Sequence, residues 1–221
     1  QELGKRGVKV RGRVRTVHRL VGAPPAGQSY KLTFAVEAPA APLVDEIQLI
    51  NKISQNLHAE LLMRRLAFAA PPPEGGKAPL VDSLELGLAA ARRVFESAGL
   101  PRADYDFSDG SGMSTYNRIS PRAAVGLLRW TQTQPWAAQY RASLPIGGVD
   151  GTLRRRFAGT PLAGKIFAKT GTLNATNALS GWMIAASGRE LTFSIIANDV
   201  PEGTSALATM DSLLVEIAAR N

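Results

Sequence analysis

The chain of 221 residues contains no cysteine. Disulfides and thiolate metal sites are therefore excluded, although a cysteine-free chain is permitted in any compartment. Histidine is nearly absent as well. The two present are His18 and His58, so a His-rich metal site has no material and a catalytic histidine would have to be one of this pair. No apolar run reaches the roughly 18 residues that a membrane-spanning helix needs. The chain opens on Gln1 with neither a methionine nor a basic-apolar-small signal pattern, which points to a processed, trimmed or recombinant product. What is present is an apolar fraction of 45%, enough for a packed core and for one large domain or one domain plus part of another. Net charge is +8. Its bland reading is solubility, and its functional reading is attraction to a polyanion such as nucleic acid, anionic lipid or anionic wall polymer. No nucleic-acid motif accompanies it.

Hydrophobic periodicity divides the chain. "VKVRGRVRT" (8–16) alternates valine with basic residues and reads as a strand, "GAPPAGQ" (22–28) as a loop, and "YKLTFAVE" (30–37) as a partner strand. "APAAP" (38–42) reads as a linker, after which the period becomes helical. Ile47, Ile50, Ser54, Leu57 and Leu61 share one stripe, with Ser54 in place of an apolar residue. A proline-rich loop (69–79) precedes a helix that Asp82 caps and Gly99 and Pro101 end, and Ser120-Pro121 opens another. The last third reads as strands in "GKIFAKTGTL", "NALSGWMIAAS" and "ELTFSIIAND", with a hairpin turn at "SGRE" (187–190) and a closing amphipathic helix over 204–220.

Four stretches could carry chemistry. Lys169-Thr170-Gly171 lies in a strand, where a cation and a hydroxyl can hold a carboxylate, and glycine admits a substrate backbone. Strict alternation sends Lys169 and Gly171 to one face and Thr170 to the other unless the strand twists. On composition alone such a tripeptide turns up by accident in roughly one chain in twenty. Ser54 and Asn56 would diverge by about 200° on an unbroken helix. They can serve one site only if the helix breaks at 54–56, and their plain alternative is capping the next helix. "SDGSGMSTYN" (108–117) is a tight, hydroxyl-rich loop. "LPIGGVDGTLRRRF" (144–157) is glycine-rich but lacks the Gly-Lys-Ser/Thr ending of a phosphate loop. His58 reads as a helix-surface residue.

The order Ser54-x-Asn56, Asp109-Gly110-Ser111-Gly112, Ser120-Pro121, "LPIGGVDGTL" and Lys169-Thr170-Gly171 resembles the penicillin-binding D-alanyl-D-alanine carboxypeptidases/endopeptidases, and more narrowly the low-molecular-mass class C group of the penicillin-binding protein 4 type. The resemblance runs from about residue 40 to the end and more faintly from residue 1. It implies an α/β (α+β) fold: a β-lactamase/transpeptidase-like antiparallel sheet flanked by helices, incomplete in this chain. Residues 1–38 would end an inserted β-rich domain. Residues 39–221 would form the C-terminal part of the catalytic domain, with a helical subdomain at about 43–142 and the sheet and last helix at about 160–221.

The same resemblance implies the roles. Ser54 relays a proton to the leaving amine, Asn56 hydrogen-bonds the substrate amide, and Lys169 supplies positive charge. Thr170 binds the substrate carboxylate, and the Thr172 N–H completes an oxyanion hole. Gly171, Ser111 and Asn174 line the pocket. The ligands implied are peptidoglycan stem peptides and β-lactams, in a periplasmic or other extracytoplasmic setting, with no cofactor, metal, nucleic acid or transmembrane segment. The family's nucleophile lies in Ser-x-x-Lys, yet no serine of this chain is followed by lysine three positions on. The chain is therefore expected to be the C-terminal part of a longer protein. It would be accompanied by an N-terminal portion that carries the nucleophile, inactive alone, and open at a sheet edge and an apolar face. Relatives often continue the Asp-Gly-Ser-Gly loop with Leu-Ser-Arg, where this chain has Met113-Ser114-Thr115, so preference for a stem with an extra carboxylate is not implied. The rivals are a serine β-lactamase-like hydrolase, although the Glu-x-x-Leu-Asn run of class A members is missing, and a non-catalytic wall-binding module using the basic strand 8–16 and Arg154–Arg156.

Overall fold

The computed structural model describes residues 2–7, 9, 11, 41–69 and 82–221. The expected strands at 8–16 and 30–37, most of the 38–42 linker and the proline-rich loop at 69–79 fall almost wholly outside the described residues. After a short helix α1 (Glu2–Lys5), the helical part comprises α2 (Leu43–Ile53), α3 (Asn56–Arg65), α4 (Ser83–Ser97), α5 (Pro121–Thr131) and α6 (Ala137–Ser143). A two-residue ribbon, β1 (Tyr105–Asp106) with β2 (Arg118–Ile119), brackets the hydroxyl-rich loop. The sheet is an antiparallel meander of β3 (Ile166–Leu173), β4 (Thr176–Ile184) and β5 (Glu190–Ala197), and α7 (Leu207–Arg220) closes the chain.

Local signals place these boundaries. The Asp82 carboxylate accepts from the Leu84 N–H at 2.9 Å and starts α4, while Ser120 Oγ accepts from the Ala123 N–H at 3.0 Å and starts α5. Gly188, at φ 84°, turns β4 into β5. The sheet is covered on both faces. Ile166, Ala168, Leu179, Met183 and Phe193 pack with Leu214 and Ala218 of α7. Trp182 packs with Leu128 of α5 and Leu144 after α6, joined by Tyr140 and Phe167. α2 lies against α6, and α3 against α4.

The stripe expected along α2 and α3 does not hold in α3. Leu57 and Leu61 are 62% and 51% exposed. Ser54 adopts a left-handed backbone (φ 59°, ψ 56°) and Gln55 an extended one. That interruption resets the helical phase, so α3 turns Ala59 and Met63 inward. Leu43, Val44, Leu49 and Ile53 of α2 and Phe68 in the turn after α3 are also exposed, so this part of the chain leaves several large apolar side chains uncovered. α6, seven residues with no side-chain cap, left no readable signal.

Candidate active site

The break after α2 has a chemical result. The left-handed turn at Ser54 releases its hydroxyl from the helix, and Lys169 Nζ donates to Ser54 Oγ at 2.8 Å, joining residues 115 apart in sequence. The same ammonium donates to the Thr170 carbonyl at 2.8 Å. Burial pushes the Lys169 ammonium below the usual lysine range. Asn56, the first residue of α3, donates from Nδ2 to Met113 Sδ at 3.0 Å, so Ser54 and Asn56 face one cleft from either side of the break.

The cleft measures about 730 Å³. Ser54, Gln55 and Asn56 line one wall, residues 110–115 the second, and Lys169, Thr170, Gly171 and Thr172 the third. Thr170 reaches it despite the strand alternation because the cleft runs along an edge of β3, where both faces meet it. The Gly147 N–H donates to the Ile166 carbonyl at 3.0 Å and the Ala168 N–H to the Pro145 carbonyl at 3.0 Å, both on the side away from β4. Beyond Ala168 that edge opens. Backbone polar groups on one edge recur every second residue, so the N–H groups of Thr170 and Thr172 point the same way, into the cleft. Asn174 stands apart. It is exposed in the β3–β4 turn at φ 46° and does not line the cleft.

The second wall is built around one carboxylate. Asp109 accepts from Ser111 Oγ (2.9 Å), Asn117 Nδ2 (2.8 Å) and the N–H groups of Gly112 (3.0 Å) and Ser114 (2.9 Å). Burial alone would raise its pKa. The hydrogen bonds from Asn117, Ser111, Gly112 and Ser114 outweigh it and hold the carboxyl below its ordinary value. Ser111 thereby holds the loop in shape while lining the cleft. The Gly110 N–H donates to Glu60 Oε2 at 2.8 Å, and Arg64 Nε donates to the other oxygen at 2.7 Å, which ties the loop to α3. A Cβ on Gly110 would sit 2.4 Å from Met63 Cβ, so only glycine allows this approach.

Two features escaped the sequence reading. Lys52 on α2 donates to Asp150 Oδ2 at 2.6 Å and to the Leu144 carbonyl at 2.7 Å, and the Thr170 hydroxyl donates to Thr152 Oγ1 at 2.8 Å. The "DGTL" stretch was the available signal, but its partners lie far off in sequence. His58 pairs through Nδ1 with Glu46 Oε2 at 2.8 Å on the helix surface and does not line the cleft. Of the arginines offered to a wall-binding module, Arg156 is engaged by Asp211 at 2.5 Å. Among the described residues, no cluster of His, Asp and Glu suited to a metal occurs, and no helix is long and apolar enough to cross a membrane.

An antiparallel sheet flanked by helices, with a three-walled cleft along the β3 edge where a strand lysine touches a serine at a helical break, is similar to the β-lactamase/transpeptidase-like class of folds. The chain belongs to the D-Ala-D-Ala carboxypeptidase 3 (S13) family, whose model matches residues 1–221. It is 32% identical to a D-alanyl-D-alanine carboxypeptidase of Actinomadura sp., over 99% of this chain and 38% of that protein. Among solved structures it resembles penicillin-binding protein 4 of Haemophilus influenzae in complex with a β-lactam. The TM-score is 0.70 at 27% identity, over 80% of this chain and 42% of the other. A β-lactamase of Sphaerobacter thermophilus shares the fold at TM-score 0.57 and 18% identity, over 82% of this chain and 64% of the other. The chain spans about two fifths of the length of the curated relatives it matches.

Proposed function

We propose that this chain supplies Ser54-x-Asn56 and Lys169-Thr170-Gly171, but not the nucleophile, to a serine-type D-Ala-D-Ala carboxypeptidase/endopeptidase, a penicillin-binding hydrolase of peptidoglycan stem peptides. The observation that carries the reading is the 2.8 Å contact between Lys169 Nζ and Ser54 Oγ. A serine hydroxyl held by a desolvated ammonium is suited to pass a proton to a leaving amine. Lys169 also places positive charge where a substrate carboxylate would lie, with Thr170 as its hydroxyl donor. The Thr172 N–H on the open edge suits an oxyanion, and Asn56 would exchange the Met113 sulfur for a substrate amide. A Cβ on Gly171 would meet only Ala178 Cβ, at an ordinary 3.4 Å, so the protein's own packing does not demand this glycine, whereas an approaching substrate backbone would. Asn174, outside the lining, would act only at the rim.

The nucleophile comes from elsewhere in the full protein, in a Ser-x-x-Lys segment N-terminal to residue 1. That segment's serine attacks the carbonyl of the penultimate D-Ala, an acyl-enzyme forms, D-Ala leaves, and water completes hydrolysis. The exposed apolar side chains of α2 and α3 support a covering element of this kind. In this reading residues 1–38 end an inserted domain, residues 39–221 complete the catalytic one, and the protein works outside the cytoplasm on the cell wall.

Labelling of the full-length protein with a fluorescent penicillin tests the reading. Wild type should label covalently, and Lys169→Ala should label at least about 100-fold more slowly, the scale of losing one transition-state electrostatic group. Equal labelling rates for the two proteins would refute the assignment of Lys169.

A further inference from the structure

Thr170 is not the end of its hydrogen-bond chain. Its hydroxyl meets Thr152 Oγ1 at 2.8 Å, and Thr152 stands on a short turn that is fixed from beneath. Asp150, two residues earlier, accepts from Lys52 Nζ at 2.6 Å and, through its other oxygen, from the Ile146 N–H at 2.9 Å. Lys52 Nζ also donates to the Leu144 carbonyl at 2.7 Å, and its neighbour Asn51 donates to Ser143 Oγ at 2.7 Å. Gly151 presses so close that a Cβ there would lie 2.6 Å from the Lys52 carbonyl oxygen. Lys52 is two residues from Ser54 on α2. One strut thus reaches from the base of the helical break to the hydroxyl behind Thr170.

A hydroxyl has one proton and two lone pairs. The Thr170 proton now points at Thr152. When a carboxylate arrives, Thr170 must turn that proton to the ligand and then needs a donor behind it. Thr152 can become that donor by rotating its own hydroxyl, with no backbone movement, and a donor behind a donor strengthens the outer bond. We propose that Thr152 is a positioning residue for the substrate's terminal carboxylate, acting through Thr170, and that the Lys52–Asp150 pair holds its turn in register with Ser54. This rests on the reading above that Thr170 meets a carboxylate.

The test uses the full-length protein and two acyl donors, a peptide thioester ending in a free carboxylate and its carboxamide. Thr152→Val, which keeps the shape and removes the hydroxyl, should raise KM for the carboxylate donor about five- to tenfold, the scale of one net hydrogen bond between neutral groups such as the two threonine hydroxyls. The carboxamide donor should change less than about twofold, and Thr152→Ser should restore the carboxylate donor. Equal losses on both donors would mark a merely structural residue and overturn the inference, as would no loss on either. A wild type acylated by both donors with an inert Thr152→Val sinks this inference alone. A wild type acylated by neither sinks the enzymatic reading as well.

Discussion

Asp109→Asn isolates what holds the second wall of the cleft. The carboxylate accepts four hydrogen bonds, from the Gly112 and Ser114 N–H groups, Ser111 Oγ and Asn117 Nδ2. An amide of the same shape keeps one oxygen and turns an NH2 group toward two of those donors. Whichever way it is placed, one backbone N–H of the loop faces a donor. Hydrogen bonds to charged groups contribute about 1.5–3 kcal/mol each. Two are lost, but water can reach the half-buried loop and offset part of the loss, leaving about 2–4 kcal/mol for opening the loop. At 1.4 kcal/mol per factor of ten, amide hydrogen exchange at Gly112 and Ser114 should accelerate about 30- to 700-fold in the variant. The sign with pH follows from the lowered carboxyl pKa. The contribution is fully present above the ordinary aspartate value and is lost as pH falls through the lower folded value. Wild-type loop protection should therefore collapse in acid below that ordinary value, while the Asn variant shows no such step. Exchange at Gly112 and Ser114 within about threefold of wild type would refute the view that this carboxylate organises the loop.

Lys169 sets an alkaline limit. Burial lowers its pKa, so the cation is lost as pH rises through a value below the ordinary lysine one, and β-lactam acylation of the full-length protein should fall over that range. An alkaline limb at or above the ordinary lysine value would contradict the burial. Gly110→Ala forces a Cβ to 2.4 Å from Met63 Cβ and 3.1 Å from the Ala59 carbonyl. Overpacking of this kind costs about 1–3 kcal/mol, which should appear as a lower denaturant midpoint with an unchanged slope.

The recognisable site is a set of local signals that needed a distant partner. Lys169-Thr170-Gly171 stood out because a strand carrying cation, hydroxyl and glycine in succession is legible over a few residues. The same holds for the caps at Asp82 and Ser120, whose side chains bond the first turn of their own helices. The α3 stripe misled because period counting assumes an unbroken helix, and a single left-handed residue at Ser54 rotates everything after it. Thr152 lay within the "DGTL" stretch without its role being legible and Lys52 gave no sign at all, since a threonine after glycine and a lysine on a helix are ordinary until their partners are placed.

Sequence by itself determined where α4 and α5 start, where strands alternate and turn, and that the chain holds Ser-x-Asn and Lys-Thr-Gly without Ser-x-x-Lys. Those are properties of residues within a few positions of one another, set by backbone sterics and local hydrogen bonds. Only the tertiary structure decided that Ser54 lies 2.8 Å from Lys169 across 115 residues, that Lys52 reaches Asp150 across 98, and that Thr152 stands behind Thr170. Contacts over such separations follow from how the sheet, α2 and the 144–152 turn pack together, and no local pattern encodes that packing.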